Sequence, residues 1–453
     1  MNYWKDYLDD KRWNNFPFNP KEVPFFYGWL ILGASIIGIV LGVPGQAIGV
    51  TIFTDYLIES IHINRDQISS SYMIGTIGSS LMLTWAGKQY DKYGARVTAT
   101  VTSLLLSVVL VLLSQADRII GLFIPNYTSF YYSSFAILTM SFLFFLLRFA
   151  GQGFLPLISR NMLMKWFIVR RGFANGILSV FVSFGFSLAP LTFNGIIQKT
   201  SWRFAWIAMA IVVVIVLFSC IFIFFRDNPE DLGLIPDGKK NLCKSKNIIL
   251  DPLKQFTLPE AKRTYTFWIF TLPLSFYTLY NAGSTIHLVS IFKEAAISKE
   301  NTLSVYIYIA IMSIVVSFLS GWISDRIKLK FLLIALLSGE FIALYSLANI
   351  NGEFFYYSFI LGHGMAGGIY NVLMAVTWPR FYGRTHLGRI SGFVMSLVVF
   401  SSALGPLIFS ASYSHLGSYR FASIGLSLLV LLLLVLSYNG NNPQDKFYEN
   451  PES

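Results

Sequence analysis

The chain has 453 residues, 55% of them hydrophobic and only 13% charged, with a mean hydropathy of +0.59. A soluble domain carries about 25% charged residues, so half of the usual polar surface is missing and a water-soluble globular protein is excluded. The net charge of +11 would suggest a nucleic-acid partner in a soluble protein. Here loop bias accounts for it, and no nucleic acid is expected.

Residues 1–24 carry mixed charge and prolines but no apolar stretch of the signal-peptide kind, so the first span is expected to act as its own insertion signal. Apolar runs of roughly 20 residues then recur, each enough to cross a bilayer core of about 30 Å. They fall at 26–57, 66–87, 96–115, 132–160, 172–198, 203–225, 265–292, 303–324, 330–348, 354–379, 389–413 and 418–438. The short alternating segments of a β-barrel are absent. The predicted class is an all-α polytopic membrane protein with twelve transmembrane helices in two pseudo-symmetric six-helix bundles. Its parts are an amino-terminal tail 1–25, a first bundle 26–225, a linker 226–264, a second bundle 265–438 and a tail 439–453. Leu258 to Phe267 reads as a short interfacial helix leading into span 7.

Of the 34 lysines and arginines, 26 fall at the amino-terminal side of the membrane and 7 on the other, with Arg148 inside a span. The positive-inside rule therefore predicts both termini in the cytoplasm, in a plasma or inner membrane. Cys220 and Cys243 have no metal-ligand spacing, and no disulfide framework is implied.

The halves repeat. Gly172, Gly176 and Pro190 in span 5 have the spacing of Gly388, Gly392 and Pro406 in span 11, and SWRFA at Ser201–Ala205 returns as SYRFA at Ser418–Ala422. Gly87-x-x-x-Asp91 returns as Gly321-x-x-x-Asp325, followed by Arg326. Such a repeat predicts a substrate site between the two halves.

Gly87 to Arg96, GKQYDKYGAR, joins spans 2 and 3 with a glycine, a carboxylate one turn later, a second glycine at Gly94 and then Arg96. This pattern resembles the loop between helices 2 and 3 of the major facilitator superfamily of secondary transporters. Arg148-Phe-Ala-Gly-Gln-Gly153, Trp166-Phe-x-x-Arg170-Arg171-Gly172, the linker RDNPEDLGLIPDG and FYGRTHLGRI at Phe381–Ile390 narrow the likeness. Together they resemble the oxalate/formate antiporter-like and monocarboxylate transporter branch, whose members move small organic anions. The resemblance implies that Asp91 meets the start of span 11 near Gly388 and Arg389 as a gate latch. Arg96 would reinforce it, and Asp325 with Arg326 would form the counterpart. Two departures stand out: spans 8 and 11 lack the internal cations expected of oxalate carriers, which favours a monoanion or a neutral acid-derived solute, and Lys328 replaces the second loop glycine.

Arg148 is the one basic residue at hydrocarbon depth, where an arginine costs roughly 2.5–3.5 kcal/mol on insertion scales. It needs a partner or a wet cavity, and reads either as the anchor for a substrate anion or as a tie to carbonyls of span 1. The 216-residue offset maps it onto Gly364, so the repeat does not require it. Gly42-Val-Pro44-Gly45-Gln46 predicts a break in span 1, with Gln46 either touching substrate or bonding the broken backbone. His287, Tyr280 and Asn281 in span 7 are further candidates for substrate or proton, as are Tyr370 and Asn371 in span 10. Glu340 in span 9 has no assigned role.

Gly362-His-Gly-Met-Ala-Gly367 matches a dinucleotide fingerprint but lies inside a span with no preceding strand, so it reads as helix packing. No phosphate loop is present, which removes direct ATP drive, and no cofactor or metal is expected. Asn126-Tyr127-Thr128 is a glycosylation sequon in the longest outer loop. The function expected is a secondary transporter of a small organic anion, coupled to protons or to a counter-anion, in the lipid bilayer. A carrier of nitrite or of a neutral metabolite, or a transporter-fold receptor, stands as the alternative; an enzyme is not expected.

Overall fold

The computed structural model describes residues 16–127, 129–238, 252–295, 297 and 299–449, and contains no strand among them. Cys243 and Thr128 of the sequon lie outside the described residues. Ten helices are long and apolar enough to cross a bilayer. The helix Arg65–Ser114 has 50 residues, about 75 Å at 1.5 Å per residue and more than twice a bilayer core. Gly94, at φ 78 and ψ 175, divides it into spans 2 and 3. Tyr265–Glu294, 30 residues long but diluted by threonine, serine and asparagine, is span 7. Twelve transmembrane helices result.

The others are span 1 from Gly28, span 4 at Tyr132–Trp166, span 5 at Arg171–Lys199, span 6 at Trp202–Phe224 and span 8 at Lys299–Ser324. Spans 9 to 12 follow at Leu329–Ala348, Glu353–Phe381, Leu387–Leu416 and Arg420–Ser437. Local chemistry sets several starts. Asn64 and Gln67 form a capping box before span 2, Ser201 caps span 6 at the Phe204 N–H, and Thr264 caps span 7. The short helix ahead of span 7 is Leu258–Lys262, opened by a capping box of Thr257 and Glu260.

Two compact units are present. One holds the described residues within Met1–Trp166, Phe184–Lys239 and Ser391–Ser396; the other holds those within Phe167–Ser183, Lys240–Ile390 and Leu397–Ser453. In the first, Phe53 stacks on Trp206 with centroids 4.0 Å apart, joining spans 1 and 6. In the second, Phe267 packs edge-on and tilted against Tyr382 and Trp378, joining span 7 to the end of span 10. Large apolar side chains such as Leu81, Leu191 and Val435 stay exposed on the spans. A hydrocarbon solvent tolerates that, because chains of lipid are as apolar as leucine.

Candidate functional site

In the first unit, both span 1 and span 4 depart from the α-helix at the same level. Span 1 breaks at a 3-10 turn, Val43–Gly45, before resuming at Ala47. Span 4 loosens into a π-helical segment, Arg148–Phe154. Such irregular backbone is tolerated at membrane depth only inside protein or along a cavity, and π segments recur at functional sites. Glycines allow the two to meet: a Cβ on Gly151 would stand 2.8 Å from both the Gly42 carbonyl oxygen and Gly45 Cα.

Arg148 begins the π segment and is 4% exposed. One Nη donates to the Gly45 carbonyl at 3.2 Å, and the guanidinium lies over the Tyr72 ring of span 2, 4.8 Å from its centroid. Its Nε is buried without a hydrogen-bond partner, as are Tyr72 Oη and Gln152 Oε1. The site therefore combines a fixed cation with unspent donor capacity. Gln46 is half-buried at the junction after the 3-10 turn, and its side chain makes no capping bond there.

In the second unit, Tyr280 and Asn281 converge on one residue. Tyr280 Oη lies 3.2 Å from His363 Nδ1, and His363 Nε2 lies 2.9 Å from Asn281 Oδ1. The Asn281 contact requires Nε2 to carry the hydrogen in the neutral ring; Nδ1 then accepts from the tyrosine hydroxyl. A cavity of about 150 Å³ opens beside this cluster, lined by Asn281, Ser284, Thr285, Tyr306, Phe359 and His363 among others. Tyr370 stacks on Tyr277 at 4.5 Å. Asn371 accepts at its backbone carbonyl from Asn175 Nδ2 at 3.0 Å. His287 stands apart from the cluster's hydrogen bonds, with Nε2 3.2 Å from the Pro406 carbonyl and its ring against Tyr419.

The charged loops differ in construction. In the second unit the Asp325 carboxylate accepts from the Gly172 and Phe173 N–H groups, at 2.8 and 3.0 Å. These N–H groups belong to the first turn of span 5, where a helix end attracts a carboxylate. Gly172 and Gly321 touch backbone to backbone, a Cβ on Gly321 falling 2.5 Å from the Gly172 carbonyl oxygen. Arg380 of span 10 joins this cluster, donating to the Ser324 carbonyl at 2.7 Å and pairing with Asp325 at 3.4 Å. Arg326, the partner suggested by adjacency, instead donates to the Trp322 carbonyl of its own helix and covers that ring.

In the first unit, Asp91 is half-buried one turn after Gly87. Gly392 of span 11 packs against that end of span 2, its Cβ position 3.3 Å from Gly87 Cα. Gly94 takes its positive φ because the Asp227 carboxylate occupies the space a side chain would need, and Asp227 accepts from the Ala95 N–H. Burial pushes the Asp227 carboxyl up, against the pull of Lys165 and the Ala95 bond. Arg96 donates to the Phe16 carbonyl at 2.9 Å and to the Phe222 carbonyl. It thus ties the chain ahead of span 1 to the end of span 6.

A family model described as Major Facilitator Superfamily matches residues 30–406. The chain belongs to that superfamily. Its fold matches the E. coli fucose:proton symporter FucP with a TM-score of 0.64 at 12% identity, over 91% of this chain and 99% of that one. It also matches the proton:xylose symporter XylE bound to 6-bromo-6-deoxy-D-glucose, at 0.64, 13% identity and 92% and 98% coverage. A third likeness is to the human organic anion transporter MFSD10 (TETRAN), at 0.60, 13% identity and 90% and 99% coverage. A search of curated proteins by sequence returned no match.

Within this transporter fold, two residues escape sequence reasoning. His363 sits in the glycine run read as helix packing, and that reading holds for the glycines: Gly362 and Gly339 are in close contact, with a Cβ on Gly362 falling 2.7 Å from the Gly339 carbonyl oxygen. The histidine between them points elsewhere. A polar residue flanked by packing glycines is the signal that could have found it. Arg380 is signalled by Trp378-Pro379-Arg380, a cation ending a span next to a proline.

Proposed function

We propose that this integral, multi-pass transporter of the superfamily moves a small organic anion, a monocarboxylate in the first instance, by alternating access. The carrying observation is Arg148: a buried guanidinium with one neutral acceptor, an unpartnered Nε, and irregular backbone beside it in both span 1 and span 4. A carboxylate can take two parallel hydrogen bonds from such a fork, and a planar arginine is suited to that geometry. The branch of oxalate/formate antiporter-like and monocarboxylate transporters is the one we assign. Gln46 is proposed to line the same site, with Tyr280, Asn281, His287, Tyr370 and Asn371 as further substrate contacts. The absence of internal cations in spans 8 and 11 supports a monoanion over a dianion.

Gly87, Asp91, Gly94 and Arg96, and Gly321, Asp325 and Arg326, are proposed as gating elements, with Arg380 added to the second set. We further infer that both termini face the cytoplasm of a plasma or inner membrane. Single cysteines at Ser129 and Glu230, with Cys220 and Cys243 replaced, should react with an impermeant reagent from opposite sides. Uptake of radiolabelled acetate, lactate, formate, oxalate and nitrite into proteoliposomes, with and without a pH gradient, tests the substrate class. Uptake of a monocarboxylate is expected; accumulation of none of the five would overturn the reading.

A further inference from the structure

We propose that the cavity between spans 7, 8 and 10 is a binding site for a small uncharged carbonyl compound, with a chemistry unlike that of the anion site at Arg148. The inference does not depend on the substrate assigned to Arg148. The cavity lies within the second unit, toward the end at which spans 7 and 8 connect. Asn281, Thr285 and Leu288 bring one face of span 7 to it, at the steps of four and three residues that align side chains on a helix.

His363 decides what this cavity can recognise. Both of its ring nitrogens are engaged, Nδ1 by Tyr280 Oη at 3.2 Å and Nε2 by Asn281 Oδ1 at 2.9 Å. Tyr280 is wholly buried and meets the imidazole edge-on at 5.3 Å, and the Phe359 ring lies 5.3 Å away, so the imidazole is held in place. With Oδ1 taken by the imidazole, Asn281 has only its Nδ2 hydrogens to offer. Nδ2 has no partner among the described residues, and Asn281 stands on the cavity wall. The Tyr306 hydroxyl is spent on the Thr285 carbonyl at 3.0 Å, which ties spans 7 and 8 together at the rim. No charged side chain lines the cavity among the described residues. An anion enclosed there would lose its hydration with no cation in exchange, whereas an uncharged molecule loses far less. Leu288, Ile309 and Phe359 supply the apolar wall. A fixed amide donor beside apolar surface suits a ligand with one acceptor oxygen on a short apolar body. The volume of about 150 Å³, below the roughly 300 Å³ at which drug-sized sites begin, limits it to a few heavy atoms.

A single thiol on the rim tests this on purified full-length protein. Thr285 is exposed, so Thr285→Cys, with Cys220 and Cys243 replaced, adds a reactive group without crowding the cavity. Its reaction with a maleimide is timed alone, with 3-methyl-2-butanone, and with isobutyrate, which has nearly the same shape but carries a charge. The ketone at saturation should slow the reaction about fivefold or more, and isobutyrate should leave it within about twofold. Asn281→Leu should remove most of the protection. So should Asn281→Asp, which keeps an oxygen for His363 and lacks the amide donor. Arg148→Gln in the same background should retain the protection in full. A ketone that never slows the reaction, equal protection by isobutyrate, protection unchanged in both Asn281 variants, or protection lost in Arg148→Gln each overturns the proposal.

Discussion

Arg148 in span 4 and Glu340 in span 9 are both buried ionisable groups in an apolar chain, yet their surroundings are unlike. Arg148 has the Gly45 carbonyl, the Tyr72 ring and two helices broken at its level. Glu340 lies in an unbroken helix, and neither of its oxygens has a hydrogen-bond partner among the described residues. The difference follows from chemistry. A guanidinium stays protonated at any accessible pH, so burial obliges the fold to supply acceptors or a place for an anion. A carboxylic acid can be neutral, which lowers the cost of burial without a partner. One position thus holds a permanent charge and the other a removable one.

The largest expected effects bear on the permanent charge. Arg148→Lys keeps the cation but not the fork, so transport should persist with an apparent KM raised about tenfold or more. Saturation kinetics in proteoliposomes check this. An unchanged KM would place the substrate away from Arg148 and collapse the contrast between the units. Asp325→Asn removes one of the two oxygens that accept from backbone N–H groups and leaves Arg380 buried without its carboxylate. A loss of about 3 kcal/mol is expected for breaking such a pair, read as a lower thermal midpoint in detergent, with transport reduced in parallel. Asp325→Asn combined with Arg380→Met should recover part of the stability and none of the transport.

A smaller effect is expected at Gly94. Gly94→Ala would force a side chain into left-handed backbone and against Asp227, at about 1–2 kcal/mol. Its second-half counterpart, Lys328, has φ −67 and starts span 9 without strain, so Lys328→Ala should leave the melting point unchanged. The smallest effect concerns Glu260, held down to about 2 by hydrogen bonds from the Thr257 side chain and backbone. A carboxylate depressed in the folded state contributes stability above its ordinary value near 4.5, and loses it as pH falls towards 2. Glu260→Gln should therefore flatten the acid limb of the melting curve and lower the midpoint slightly at neutral pH, where that contribution is fully present.

Much of this fold is local in the sequence and was readable there. Span lengths and the break at Gly42 to Gln46 each depend on neighbouring residues. The pairings that build the sites do not. His363 and Tyr280 are separated by 83 residues, and Arg380 and Asp325 by 55. The resemblance set Arg326 beside Asp325, whereas Arg326 donates to the Trp322 carbonyl one turn back on its own helix. The glycine run around His363 was explained by packing, which hid the one residue in it that carries chemistry. For Arg148 the choice between anchor and tie is visible in the sequence, and the structure supplies elements of both: an acceptor at Gly45 and a donor still to be used.

The central claim is tested most directly by melting purified wild type and Arg148→Gln with and without saturating lactate. An anchoring Arg148 gives ligand-induced stabilisation of wild type that disappears in Arg148→Gln, while the ligand-free midpoints of the two stay close. Full stabilisation of Arg148→Gln by lactate, or a variant that has lost its own stability while retaining its affinity, would contradict the claim.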